Sequence, residues 1–298
     1  MGERYNGIVE VVGSIPSGST KHPIIRFTRP FFDCERMSLV GLWFAESPNM
    51  WVQMIMRNVT IITKREFASY FVSPLGYILA AIFVAISASL TFYFGDFFPR
   101  GIADLHAFFE YHPWLHLLLM PALGMRLWAE EIKLGTLEFL VTLPIRAGEA
   151  VIGKFLAAWL YSGLILSFTF PLWITVNFLG NPDNGVIVAT YIASWLMAGG
   201  FLSLSACASA TTSNQVIAFV LGVTICFLFM MSGVELVQAA FQSWTPEWFT
   251  TSIGNLGVMS NFKAISNGSI EFKNILYFVS LISLGLAVNA TIIEIKRA

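Results

Sequence analysis

Long uncharged stretches recur along the chain and predict its main elements. A helix needs about 20 apolar residues to cross about 30 Å of hydrocarbon. Six segments meet or approach that length: 67–95, 111–126, 155–182, 186–210, 215–234 and 274–293. The second segment ends in Arg126, whose side chain can extend from the helix end to the lipid headgroups. The pattern therefore predicts an all-α, polytopic membrane protein with six transmembrane helices.

An interfacial helix, lying along the membrane surface, is predicted just before the first span. Residues 54–71 are apolar on one side. The opposite side carries polar and basic side chains: Arg57, Asn58, Lys64 and Arg65. Ser73–Pro74 then supplies a cap and a first-turn proline that start the span as a new helix. Glu66 lies on the apolar side, so we expect it to pair with Arg126 or Lys154, or to extend into headgroup water.

The connection between the second and third spans predicts a cytosolic elbow of helices over residues 126–150. Apolar or small residues recur there at helical spacing: Trp128, Ile132, Gly135 and Phe139. Two acidic residues seven apart, Glu131 and Glu138, lie on an adjoining polar side. Pro144 is expected to end this helix before a short second helix leads into span three. An acidic, amphipathic elbow is a suitable docking surface for a soluble partner.

Lysines and arginines near the span ends indicate the orientation, because cytoplasmic loops are enriched in both. With both termini inside, nine are cytoplasmic: Arg57, Lys64, Arg65, Arg126, Lys133, Arg146, Lys154, Lys296 and Arg297. Three are outside: Arg100, Lys263 and Lys273. We therefore predict cytoplasmic termini. The outer segment 235–273 is apolar but broken by Pro246 and Gly254, which favours a pair of short re-entrant helices.

Composition supports the membrane assignment and separates one segment from the rest. The 298 residues are 56% apolar and 12% charged, with a net charge of −1, which disfavours a soluble enzyme or a nucleic-acid-binding protein. Residues 1–49 are unusually charged and rich in Pro, Gly and Ser. They predict a disordered leader before a transmembrane domain at 50–298. A true start at Met50, Met54 or Met56 is the alternative.

Candidate catalytic and metal motifs are weak. Gly148 to Lys154 matches most of a nucleotide-binding loop, but Phe155 replaces the magnesium-binding hydroxyl and the segment enters a membrane helix. His112 and His116 are four apart, a spacing suited to one metal, although packing near the outer interface is the simpler interpretation. The three cysteines form no metal-binding spacing. We expect no enzymatic activity, metal or cofactor in this chain.

Span four carries a stripe of small residues that permits close helix packing: Gly199, Ser203, Ala206 and Ala210. The stripe faces either its own bundle or a second chain. Spans one, three, four and six lack the mid-membrane charges with which ion-driven transporters hold a coupling ion. A secondary transporter is therefore disfavoured, and energy for transport should arrive mechanically from outside the bilayer.

Several motifs, taken in order, resemble the membrane subunit of ATP-binding cassette (ABC) type-2 exporters. They are Lys64-Arg65-Glu66-Phe67, Ser73-Pro74-Leu75-Gly76-Tyr77, the segment from Glu130-Glu131 through Gly135-Thr136-Leu137-Glu138 to Pro144, and Gly153-Lys154. The resemblance covers residues 54–298. Within the family, the chain is most similar to permeases grouped with gliding-motility and copper-enzyme-maturation transporters.

This resemblance implies a permease subunit of the cytoplasmic membrane, with ATP used by a separate ATPase subunit. Glu130, Glu131, Gly135, Glu138 and Pro144 would then lie at or near the contact between the elbow and that ATPase. A second permease chain, identical or related, would complete the path for a hydrophobic, lipid-linked or polymeric cargo. The alternative is a membrane scaffold of a surface assembly, such as motility machinery, without transport of its own.

Overall fold

The computed structural model describes residues 48–136, 145–234, 237, 254, 256–269 and 271–297, and the secondary structure of these residues is helical, without strands. The helices are α1 (Pro48–Val72), α2 (Pro74–Ser89), α3 (His106–Glu110), α4 (His112–Gly124), α5 (Ala129–Leu134), α6 (Ala147–Ser167), α7 (Phe170–Leu179), α8 (Asn184–Thr211), α9 (Gln215–Met231), α10 (Val258–Ser266) and α11 (Phe272–Arg297). A π-helical turn, Leu90–Phe94, extends α2. The predicted leader lies almost wholly outside the described residues.

Local chemistry explains several of the helix boundaries. Pro74 occupies the first turn of α2, where its missing N–H costs nothing, and Ser73 before it is extended. The Asp183 side chain caps α8 by accepting hydrogen bonds from the backbone N–H groups of Gly185 and Val186. Gly135 ends α5 with a φ of 69°, a left-handed conformation that glycine adopts without strain.

Four helical segments are long and apolar enough to cross a membrane: Pro74–Phe94, Ala147–Leu179, Asn184–Thr211 and Phe272–Lys296. The outer faces of α2 and α11 expose large aliphatic side chains, among them Ile78, Ile82, Leu276 and Leu284. Such faces suit hydrocarbon and not water. The chain is therefore a helical membrane protein.

Helix α8 is the centre of the bundle. It packs against α4, α6, α9, α10 and α11. Small and hydroxyl residues cover much of its surface, which lets these neighbours approach closely. Gly199 is an example, because a Cβ at this position would lie 2.8 Å from Trp159 Nε1 and 2.9 Å from Ile282 Cδ1.

Two predicted spans are shorter in the structure than the sequence pattern indicates. Helix α4 has 13 residues, which corresponds to about 20 Å, and α9 has 17 residues, or about 26 Å. In compensation, α4 is almost entirely buried among α2, α8 and α9. A helix enclosed by protein does not need a long apolar surface of its own.

The predicted third span, 155–182, is divided into α6 and α7. The break lies at Phe168–Thr169, immediately before Pro171 in the first turn of α7. Pro171 has no N–H to donate to the carbonyl of Ser167, so a continuous helix would lose a hydrogen bond here. The hydroxyl of Thr169 donates instead to the carbonyl of Leu166, 2.6 Å away.

The helix ends gather into two groups, at the opposite ends of α8. At one, which we call the Lys154 end, Lys154 lies beside Glu66, and Lys296 Nζ donates to the carbonyl of Thr211 at 3.2 Å. At the other, the Asp183 end, Asp104, Asp183 and Asn267 line one cavity. Helix α10 packs at the Asp183 end with Val258, Phe262 and Ile265 buried. About half of the predicted re-entrant pair at 235–273 lies outside the described residues.

Candidate functional site

A buried lysine joins three helices at the Lys154 end. Lys154, on α6, is 3% exposed. Its Nζ lies 2.6 Å from Glu131 Oε1 on α5, 3.1 Å from the carbonyl oxygen of Leu127 and 3.7 Å from Glu66 Oε1 on α1. The ammonium also lies 5.1 Å from the centre of the Trp128 ring. We call Lys154, Glu66 and Glu131 the Lys154 network.

The predicted pairing of Glu66 with Lys154 is therefore present. Its other candidate partner, Arg126, bonds elsewhere: its Nε donates to Glu130 Oε2 at 3.0 Å and its Nη1 to Ser73 Oγ at 2.9 Å. Glu66 also accepts a 2.6 Å hydrogen bond from Arg65. This bond raises the pKa of the Arg65 guanidinium. Glu66 is therefore shared between exposed Arg65 and buried Lys154.

A continuous seam holds α1 against the first half of α6. Thr63 Oγ1 lies 3.1 Å from the carbonyl oxygen of Gly153, and a Cβ on Gly153 would lie 2.8 Å from Ile62 Cγ2. Further along, the rings of Tyr70 and Tyr161 stack with centres 4.7 Å apart. Glycine at position 153 therefore permits the close approach that brings Glu66 to Lys154.

The seam corrects the predicted polar face of α1. The Asn58 side chain faces α6, where its Nδ2 donates to Glu149 Oε2 at 3.0 Å. Arg57, Lys64 and Arg65 are exposed on the other side, as predicted, together with apolar Met56 and Ile61. Asn58 was assigned wrongly because the helical wheel does not reveal a carboxylate on a distant helix that can accept its amide hydrogen bond.

A second connection ties the elbow to the core. Ser209 Oγ, on α8, accepts hydrogen bonds from the backbone N–H groups of Trp128 and Ala129, at 3.1 and 3.0 Å, and donates to the carbonyl of Met125 at 2.8 Å. Ser209 is fully buried. It satisfies the first N–H groups of α5 as a cap supplied by another helix. This role is not evident from the sequence, because a serine in an apolar span has the same pattern as any small packing residue.

The first helix of the elbow ends earlier than predicted. Gly135 does not continue a helix from Trp128 and Ile132 but terminates α5, for the conformational reason given above. Among the described residues of the elbow, Lys133, Leu134, Gly135 and Thr136 are exposed beyond the network. Glu138 and Pro144, both predicted site residues, lie outside the described residues.

The segment Gly148 to Lys154, which matches most of a nucleotide-binding loop, has a structural role in the fold. Gly153 and Lys154 serve the α1 seam and the Lys154 network, and Phe155 is buried in the core. With its ammonium 2.6 Å from a carboxylate and out of solvent, Lys154 does not present its charge to a phosphate.

The two histidines of α4 pack in the interior of the bundle. His112 and His116 are 0% and 2% exposed. His112 Nδ1 is 2.8 Å from Ser194 Oγ, and His116 Nδ1 is 2.7 Å from the carbonyl oxygen of His112. Within the described residues there is no group of three or more side chains suited to a metal. Aromatic rings of Phe83 and Phe108 enclose the pair.

The small-residue stripe of α8 packs inside its own chain. Gly199 lies against Trp159 and Ile282, and Ser203 lies against Gly285 of α11. Ala206 and Ala210 are 1% and 0% exposed. Of the two placements left open by the sequence, the structure has the internal one.

The Asp183 end is open. A cavity of about 300 Å³ is bordered by Asp104, His106 and Asp183, and one of about 180 Å³ by His106, Glu110 and Lys263. Arg100 and Asp104 form an ion pair there at 3.7 Å, with more than a third of each side chain exposed. Charged groups therefore line water-accessible space at this end.

In comparisons of the sequence with known proteins, no family model and no curated protein matches the chain. The geometry alone describes a membrane bundle in which Lys154 of α6 is bonded both to the short helix α5 and to α1.

Proposed function

We propose that the chain is the membrane-spanning permease subunit of an ABC type-2 transporter, an exporter that uses ATP hydrolysed by a separate subunit. The observation that carries the proposal is the Lys154 network. Through it, α5 is bonded to α6 and α6 to α1. A displacement imposed on the elbow would pass to both helices together, as a permease driven from the cytosol requires.

The proposal includes six membrane passages: α2, α4, α6–α7, α8, α9 and α11. Its support is the alternation of helix ends. Ser73 at the start of α2 bonds to Arg126 after α4, and Thr211 at the end of α8 bonds to Lys296 of α11. Each successive passage then begins where the previous one ended. With the Lys154 end facing the cytoplasm, both termini are inside the cell, as the lysine and arginine distribution predicts.

The docking surface for the ATPase would be the exposed tip of the elbow. Leu134 is 66% exposed there, beside exposed Lys133 and Gly135. In the proposed complex Leu134 would be the apolar centre of the contact and Lys133 part of its polar edge. Glu130, whose side chain is 38% exposed, and Glu131 would support this surface through Arg126 and Lys154.

Two such chains, identical or related, would form the transport path between them in the cytoplasmic membrane. The cargo class that fits best is hydrophobic, lipid-linked or polymeric, because the exposed membrane faces are apolar and aromatic. Within the described residues, the charges of the proposed spans lie at or near their ends.

The test is reconstitution with the ATPase encoded by the neighbouring gene. The two proteins should co-purify, and the permease in lipid vesicles should raise the rate of ATP hydrolysis. Leu134→Asp should abolish both effects, since it places a charge in the contact. Leu256→Asp is the matched control, because Leu256 is 53% exposed near the Asp183 end and should leave association intact.

Failure of the wild-type proteins to associate, or equal loss with both variants, would contradict the proposal. The scaffold alternative gives a different result. Its complex would form and support surface assembly equally well with an ATPase that cannot hydrolyse ATP.

A further inference from the structure

Helix α1 turns its two kinds of charge in opposite directions. Its one acidic residue, Glu66, faces α6, where it lies 3.7 Å from Lys154 Nζ. Its three basic residues, Arg57, Lys64 and Arg65, are exposed. Arg65 bonds to Glu66 at 2.6 Å, whereas Arg57 and Lys64 have no ion pair among the described residues. The side of α1 that faces away from the bundle is therefore positively charged.

The basic residues share this side of the helix with apolar ones. Arg57, Ile61, Lys64, Arg65 and Val72 recur at helical spacing, and we call them the outer face of α1. Ile61 is 59% and Val72 84% exposed. Exposed aliphatic side chains are unfavourable in water, and ionised ones are unfavourable in hydrocarbon. The boundary between the two media accommodates both, because Lys and Arg can extend their charged ends to the headgroups.

The chain places the outer face close to that boundary. Helix α1 ends at Val72, and the apolar segment Pro74–Phe94 begins two residues later. Lys64 lies about 12 Å along the helix from Val72, and Arg65 slightly less. The headgroup layer on each side of the hydrocarbon is about 5–7 Å thick. Their long side chains therefore reach this layer whether α1 lies along the membrane or is inclined to it.

The exposed bases at the Asp183 end are arranged differently. Each of them has an acidic residue nearby: Arg100 with Asp104 at 3.7 Å, Lys273 with Glu271 at 2.6 Å, and Lys263 with Glu110 around one cavity. The unpaired bases of α1 are thus not a general property of the surface. Positive charge without an acidic partner calls for a negative partner from outside the chain.

We propose that the outer face of α1 binds the headgroups of anionic phospholipids, such as phosphatidylglycerol, in the adjoining leaflet. Lys64 and Arg57 face the phosphates, and Ile61 and Val72 contact the upper part of the acyl chains. The attraction is electrostatic, so it selects lipids by net charge. The proposal requires only that α2 crosses the bilayer and is independent of the permease proposal.

The test uses the full chain in phosphatidylcholine vesicles that contain a trace of phosphatidylglycerol with a diazirine on its headgroup. Parallel vesicles contain phosphatidylcholine with the same group. After illumination, labelled residues are mapped by mass spectrometry. Label at residues 54–72 should be at least tenfold higher with the phosphatidylglycerol probe. Unlabelled phosphatidylglycerol should compete for this excess, and unlabelled phosphatidylcholine should not.

Salt provides a second measurement on the same vesicles. Raising the ionic strength from about 0.1 M to about 1 M shortens the screening length from about 10 Å to about 3 Å. Because the bases are exposed, most of the excess label on α1 should disappear. Label from the phosphatidylcholine probe should stay unchanged.

Variants assign the excess to named residues. Lys64→Gln should lower it about fivefold, the effect expected of one basic side chain at an anionic surface, and adding Arg57→Gln should remove it. Lys64→Arg keeps the charge and should keep the excess. Lys273→Gln is the matched control, because Lys273 is exposed at the Asp183 end and paired with Glu271. Circular dichroism and gel filtration check that each variant is folded.

Equal labelling of α1 by the two probes would overturn the proposal, as would an excess that survives loss of both Arg57 and Lys64. A wild-type α1 that neither probe labels would also contradict it. That result would mean that protein, and not lipid, covers the outer face.

Discussion

The two ends of the bundle contain similar charged residues but use them differently. At the Lys154 end, Lys154 is buried and is held by Glu131 at 2.6 Å and by a backbone carbonyl, although the nearby pair of Arg126 and Glu130 is partly exposed. At the Asp183 end, charges border cavities of about 300 and 180 Å³ and the ion pair of Arg100 and Asp104 is exposed. Burial therefore determines which charges hold helices together.

Because of this difference, we expect the two ends to differ in how easily their helices separate. Buried, hydrogen-bonded charge pairs are costly to break, because each partner is left unpaired out of water. Exposed pairs contribute little, because water replaces them. The Lys154 end should move as one unit, whereas the Asp183 end should open with little loss of bonding.

The largest effect is expected from Lys154→Met. It leaves Glu131 and Glu66 without their shared cation and should lower the free energy of unfolding by about 3 kcal/mol. Denaturant unfolding in detergent, followed by tryptophan fluorescence, measures the change. Lys64→Met, on the exposed side of α1, should have almost no effect.

A double variant sharpens this result. Adding Glu131→Leu to Lys154→Met removes the stranded carboxylate and should recover part of the lost stability. If Lys64→Met were as damaging as Lys154→Met, the contrast between buried and exposed charge would fail.

The next largest effect is expected from Ser209→Ala. It should lower the free energy of unfolding by about 2 kcal/mol, since two buried N–H groups and one carbonyl lose their partner. Thermal unfolding of the purified protein reports it. Ser283→Ala removes one exposed hydroxyl bond to the carbonyl of Val279 and serves as the control. Equal effects would show that the elbow is not anchored through α8.

A smaller decrease in the free energy of unfolding is expected for Gly153→Ala. Overpacking against Ile62 should cost about 2 kcal/mol, offset by about 1 kcal/mol of improved helix propensity. At Gly148, in the same helix, a Cβ would meet nothing within 4 Å, so Gly148→Ala should be neutral or stabilising. Melting temperatures of the two variants should therefore shift in different directions.

The smallest effect is predicted for Asp104→Asn at the Asp183 end. Breaking the exposed pair with Arg100 should change the free energy of unfolding by less than about 1 kcal/mol. Denaturant titration in parallel with Lys154→Met gives the comparison. A loss as large as that of Lys154→Met would mean that both ends are held by their charges.

Much of the helical arrangement follows from the sequence because apolar runs and prolines leave local signals. Ser73–Pro74 marks the start of α2, and a carboxylate on the apolar side of α1 indicates a buried partner. Pro171 also signals the break between α6 and α7, although the uncharged run around it predicts one continuous span.

The connections that define the candidate site leave weaker signals. Ser209 caps α5 although Ala129 lies 80 residues away in the sequence, and Asn58 donates a hydrogen bond to Glu149, which is 91 residues away. Such partners depend on how helices are placed in three dimensions, which hydropathy and helical periodicity do not encode. Gly153 is similar, because its role depends on the side chain of Ile62 on another helix.

The paired indoles of Trp159, on α6, and Trp195, on α8, affect how these two helices can move relative to each other. The rings stack with centres 4.2 Å apart, and each indole donates its Nε1–H to the carbonyl of the other residue, at 2.9 and 3.0 Å. These contacts oppose sliding of α6 along α8, because an axial shift of one residue, about 1.5 Å, would strain both hydrogen bonds. Any large relative translation inside this protein must therefore take place across a different pair of helices.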